Sequence, residues 1–144
     1  MDDTKKVLLV TNSVSDLEVQ QIRQALQDNE ATENKPIELF LVHVIPSLPT
    51  CYFNIPSMVQ LAEQYYEEAK RYLTTIGEAL DVVKKDQWLI TGRLRSEVLR
   101  LAGKLRCDFI LASSTNIQDL QQALTLKKEH LSLLFHNLSA HSSL

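Results

Sequence analysis

The residues with the widest chemical repertoire in this chain fall in two places. Asp108-Phe109-Ile110-Leu111-Ala112-Ser113-Ser114-Thr115 is a nearly continuous apolar run that breaks into hydroxyls, with Asn116 next. A strand buried on both faces reads this way when it ends in a loop over the carboxyl edge of a parallel sheet, where doubly wound folds bind ligands. A loop that cradles phosphate with its backbone normally needs glycine, because a Cβ blocks the approach, and this stretch has none. Ser113, Ser114, Thr115 and Asn116 offer side-chain hydrogen bonds in its place. The second place is His43, which sits among Leu41, Val42 and Val44 and reads as a satisfied core histidine. Ser13, His43 and Asp108 make a catalytic triad only on paper, since no nucleophile elbow precedes any of them, and no catalytic residue is expected. Cys51 and Cys107 are read as free thiols, with no CxxC or His-rich cluster to hold a metal.

These residues must be positioned by the elements around them. Lys6 to Thr11 is a β-branched and leucine-rich run ending in Asn12-Ser13, a buried strand and its turn. Ser15-Asp16-Leu17-Glu18 has capping-box spacing, and Leu17, Ile22, Ala25 and Leu26 carry a first helix to about Asp28. The polar stretch Asn29 to Pro36 is read as a loop. Ile37 to Ile45 is the second strand, closed by Pro46, and the connection to Pro56 reads as ordered but irregular. Ser57-Met58-Val59-Gln60 reads as a second capping box. From Met58 to Leu80, apolar residues recur at three and four positions, predicting a helix of more than five turns. Gln87 to Thr91 is a third strand ending at Gly92, and Leu94 to Leu105 a third helix. Asp108 to Ala112 is the central strand. Ile117, Leu120, Ala123 and Leu124 suggest a fourth helix, His130 to Leu138 a fifth strand, and residues 139–144 a frayed tail. Five strands alternating with four helices predict an α/β fold: an open five-stranded parallel sheet, Rossmann-like, with helices on both faces.

Composition narrows the function classes. The 144 residues suit one domain, 1–144, and 44% hydrophobic with 23% charged residues is an ordinary globular balance. The net charge of −3 comes from mixed signs, which argues against a nucleic-acid surface. The first apolar run is a handful of residues long, so neither a signal peptide nor a membrane span is expected, and a cytoplasmic location follows as the expectation. The basic residues from Arg93 to Arg106 read as a solvated helix face, because acids such as Glu97 are interleaved. Tyr65, Tyr66 and Tyr72 read as core and interface packing, since no basic cluster adjoins them to make a stacking platform.

The order of elements and several strings resemble the universal stress protein family. Leu41-Val42-His43-Val44-Ile45-Pro46 looks like that family's second strand, and Gly92, Glu97, Val98, Ala102, Cys107 and Asp108 fall at family positions leading into the fourth strand. The resemblance runs from Lys6 to about Leu138. Its nucleotide-binding branch carries G-x-x-G, nine residues, then glycine with serine or threonine after the fourth strand. Here Ser113 and Asn116 replace the first two glycines, Leu126-Lys127 replaces the closing pair, and Asn12 stands where that branch has an acid. A response-regulator receiver is excluded, because the first strand ends in Thr11-Asn12-Ser13 and the third in Thr91-Gly92, without the required acids.

The resemblance therefore implies the branch without ATP binding: a non-enzymatic, homodimeric stress-response protein with no cofactor, acting on an unidentified protein partner. It implies a dimer formed through the last strand by Leu131, Leu133, Leu134, Phe135 and His136, since an edge with two apolar faces needs cover. The alternative is a divergent nucleotide binder with weak ATP binding or slow ATPase activity, its vestigial pocket formed by Asn12, Val44, Ser113 and Asn116.

Overall fold

The structure, a computed structural model, describes residues 4–33, 36–47, 54–113, 115–120 and 132–134. Its strands are β1 (Lys5–Val10), β2 (Ile37–Ile45), β3 (Gln87–Thr91), β4 (Phe109–Leu111) and β5 (Ser132–Leu134), and its long helices are α1 (Asp16–Glu33), α2 (Pro56–Ala79) and α3 (Leu94–Leu105). Residues 115–120 are also helical. The strands lie in the order β3-β2-β1-β4-β5, with all pairings parallel. Four of them form the body of the sheet. The fifth is described over three residues on the edge of β4, where Leu133 stands opposite Ile110; the rest of the predicted His130 to Leu138 strand lies outside the described residues. The parallel α/β expectation holds for the body of the sheet, with β5 at its edge described only at Ser132–Leu134.

Period-two alternation divides the core into two layers. Leu8, Val10, Phe40, Val42, Val44, Ile110 and Ala112 face Val98, Leu99, Leu101 and Ala102 of α3, joined by Leu120. Val7, Leu9, Leu41 and Leu111 face Val14, with Val19 and Ile22 of α1 and Leu73 and Ile76 of α2. Burying each such leucine contributes roughly 1.5–3 kcal/mol, so continuous apolar strands covered on both faces are what this arrangement rewards. The two helices α1 and α2 share one face because β1, β2 and β3 step across the sheet in one direction. The chain then crosses over to β4, and α3 covers the other face.

Several boundaries differ from those predicted. Helix α1 continues to Glu33, past Asp28, because the sequence offers no proline or glycine before Pro36 to stop it. The first capping box forms: the Ser15 amide donates to Glu18 Oε1 at 3.0 Å, and the Glu18 amide donates to Ser15 Oγ at 3.2 Å. The second does not. Pro56 takes the first position of α2, Ile55 is its cap without a side-chain bond, and Ser57 falls inside the first turn. Strand β4 is shorter than Asp108 to Ala112; the Asp108 carboxylate instead accepts from the Lys6 amide at 2.9 Å, clamping β4 to β1 at their amino ends. Gly92 closes β3 at φ 156°, and a Cβ there would press on Glu97. Among the described residues, no helix is long and apolar enough to cross a membrane.

Candidate functional site

Strand order reverses between β1 and β4, so the crevice for a ligand lies outside their carboxyl ends. The structure brings the four predicted pocket residues, Asn12, Val44, Ser113 and Asn116, together there, and it pairs them with one another. The Asn12 amide nitrogen donates to the Val44 carbonyl at 2.7 Å, while Asn12 Oδ1 accepts from the Val44 amide at 2.9 Å. Asn116 Nδ2 donates to the Asn12 carbonyl at 2.9 Å and reaches Ser113 Oγ at 3.4 Å. Ser113 is 1% exposed. The amides of Asn116 and Ile117 both donate to the Ser113 carbonyl, which opens the helix of residues 115–120. Three stretches of chain are thereby stitched across the crevice mouth by their own polar groups.

The turn after β1 carries a second mark of constraint. Ser13 adopts φ 64°, a left-handed conformation uncommon for a residue with a Cβ, within a turn closed by the Val14 amide donating to the Thr11 carbonyl. That geometry aims Asn12 across β1 toward the end of β2. Ser13 itself is exposed. The triad drawn from sequence is excluded by topology: Asp108 lies at the amino end of β4 and His43 near the carboxyl end of β2. Leu9 is level with both Leu41 and Leu111, which places them five strand positions apart, roughly 16 Å along the sheet. Among the described residues, no cluster of His, Cys, Asp and Glu could hold a metal ion. Cys107 is a buried free thiol, pushed up to about 11 chiefly by that burial, with Asp108 and Glu38 acting the same way against Lys6. It stays protonated and poorly nucleophilic. Cys51 lies outside the described residues, as do Ser114, Leu126 and Lys127, and Leu131, Phe135 and His136 of the expected dimer interface.

His43 is not a core residue in the predicted sense. It is half-buried, its Nδ1 lies 2.9 Å from Thr11 Oγ1, and its ring meets Tyr72 edge-on at 5.6 Å. Burial lowers its pKa, so the ring is neutral near pH 7. Beside it a groove of about 820 Å³ runs between α2 and the carboxyl ends of β2 and β3, walled by Tyr65, Tyr66 and Ala69 on one side and Val44, Ile45 and Pro46 on the other. The expectation of core packing fails for Tyr65 and Tyr66, which are 51% and 46% exposed. Sequence reasoning missed this groove, although a signal was present. A 24-residue helix is about 36 Å long and β3 has only five residues, so the first turns of α2 must overhang the sheet. The basic residues of α3 are exposed, as predicted, and Arg100 pairs with Glu97 at 2.6 Å.

Several known proteins are similar to this chain. No family model matches the chain. Universal stress protein A homolog 1 of Coxiella burnetii (strain RSA 493 / Nine Mile phase I) is 31% identical over 88 residues, which are 59% of this chain and 61% of that relative. The match thus spans less than two thirds of the relative's length. Among solved structures, the hypothetical protein MJ0577 superposes with a TM-score of 0.64 at 22% identity, covering 90% of this chain and 93% of that one. Universal stress protein UspA from Lactobacillus plantarum superposes at 0.57 with 11% identity, over 93% and 97% of the two chains. These likenesses show that the chain has the fold of the universal stress protein structures on which it superposes.

Proposed function

We propose that this chain is a non-enzymatic, cytoplasmic universal stress protein of the branch that does not bind ATP, acting as a homodimer on a protein partner. The observation that carries the reading is the closure of the crevice by Asn12. Both backbone groups of Val44 are already satisfied by one side-chain amide, and Asn116 fastens the opposite loop to the same turn. A nucleotide would have to break these bonds, leaving buried polar groups unpaired, without a glycine-rich loop to repay the loss. The place of β5 at the end of the strand order supports the dimer, because an apolar edge strand is a template for an identical one.

A thermal-shift titration with Mg-ATP, combined with sedimentation equilibrium, tests both parts. A ligand that binds only the native state at a hundred times its dissociation constant adds about 2.7 kcal/mol, a visible rise in Tm. The expected result is an unchanged Tm at millimolar Mg-ATP and a sedimenting mass of two chains. A saturable rise in Tm would establish the divergent nucleotide binder instead, and a monomer at all concentrations would remove the role of the last strand.

A further inference from the structure

We infer that the groove between α2 and the carboxyl ends of β2 and β3 is a binding site for an uncharged, planar aromatic small molecule carrying one hydrogen-bond donor. The hydrogen-bond donor is read by His43. Thr11 has a single hydroxyl proton and two neighbours, the Val42 carbonyl at 3.2 Å and His43 Nδ1 at 2.9 Å. Both contacts are satisfied when Thr11 donates to Val42 and accepts from Nδ1–H, which leaves Nε2 as a bare acceptor. Among the described residues nothing bonds Nε2, and His43 lines the groove. The edge-on contact with Tyr72 fixes the ring plane as Thr11 fixes its tautomer. A recognition atom held this way is what a ligand site requires of its polar groups.

The walls decide the rest of the ligand. Ala62 and Ala69 are small enough to leave space on the helix side, while Tyr65, Tyr66, Val44 and Pro46 supply apolar and aromatic surface. None of the described lining residues is Lys or Arg, and Glu68 contributes a carboxylate, so phosphates and other anions are disfavoured. The volume of about 820 Å³ lies within the range of small-molecule sites. The groove shares the edge residues Asn12 and Val44 with the crevice, yet those two are paired with each other, whereas His43 Nε2, its ring held by Thr11 and Tyr72, is an oriented acceptor on the groove wall.

Fluorescence titration with 2-naphthol tests the assignment. Saturable binding with a submillimolar Kd is expected, as is about fivefold weaker binding of 2-methoxynaphthalene, which lacks the donor. His43→Leu should erase the difference between the two probes, and Ala62→Trp, which fills the groove from the overhanging part of α2, should weaken 2-naphthol at least about tenfold while thermal unfolding stays cooperative. Excess Mg-ATP should displace nothing. Absence of saturation with folded protein, equal binding of the two probes to the wild type, or an affinity unchanged by Ala62→Trp would each overturn the site. So would an affinity that falls as protein concentration rises, because a second copy would then cover the groove. Failure of the crevice reading shows itself separately, as an ATP-induced rise in Tm that leaves 2-naphthol bound.

Discussion

Asn12 holds one backbone unit with both ends of its amide, so its replacement has a calculable signature. Asn12→Asp keeps the acceptor for the Val44 amide and loses the donor to the Val44 carbonyl, setting a carboxylate against a carbonyl oxygen. The cost should be about 1–3 kcal/mol at pH 7, read by urea denaturation. Protonation restores a donor, so the folded state raises the new carboxyl's pKa above its unfolded value of about 3.9. The deficit against wild type is therefore full at neutral pH and shrinks as pH falls through the carboxylate range. A deficit independent of pH would show that the lost donor is not its cause. None of this was legible in the sequence: Asn12 and Val44 are 32 positions apart, and Asn12 and Asn116 are 104 apart. The missing glycines were legible, since they are absences at fixed spacing; what stands in their place required the turn at Ser13 to be seen.

At the scale of elements, local chemistry was readable where it closes within a few residues. The Ser15-to-Glu18 box is such a case, and Ser15→Ala should destabilise the protein by about 1 kcal/mol, lowering Tm by a few degrees. A change within error would mean that the tertiary packing of Val19 and Ile22, not the cap, fixes the start of α1. The same signature at Ser57 misled, because Pro56 fixes the helix start two residues earlier and needs no capped amide. Helix α2 follows its predicted period closely, with Ala69, Leu73 and Ile76 buried. Its first turns do not: Tyr65 and Tyr66 keep helical spacing but lie past the sheet that would have covered them. Periodicity reports which side of a helix is apolar, and only strand length reports where the sheet ends.

For the whole molecule, the alternation of strands and helices was enough to give parallel pairing, two covered faces and the carboxyl edge as the place for a site. It could not give the state of that edge. The fold places a crevice between β1 and β4, and this chain has closed it with asparagines while opening a tyrosine-lined groove one strand away. Fold alone supports either occupancy, so the functional argument rests on the paired groups and not on the sheet. The measurement that bears most directly on it is a ¹H–¹⁵N correlation spectrum of the protein titrated with Mg-ATP, following the Asn12 and Asn116 side-chain amides and the backbone amides of Val44 and Ile117. The account predicts that these resonances stay in place up to millimolar nucleotide. Saturable shifts centred on them would mean that ATP opens the stitched crevice, and would contradict it.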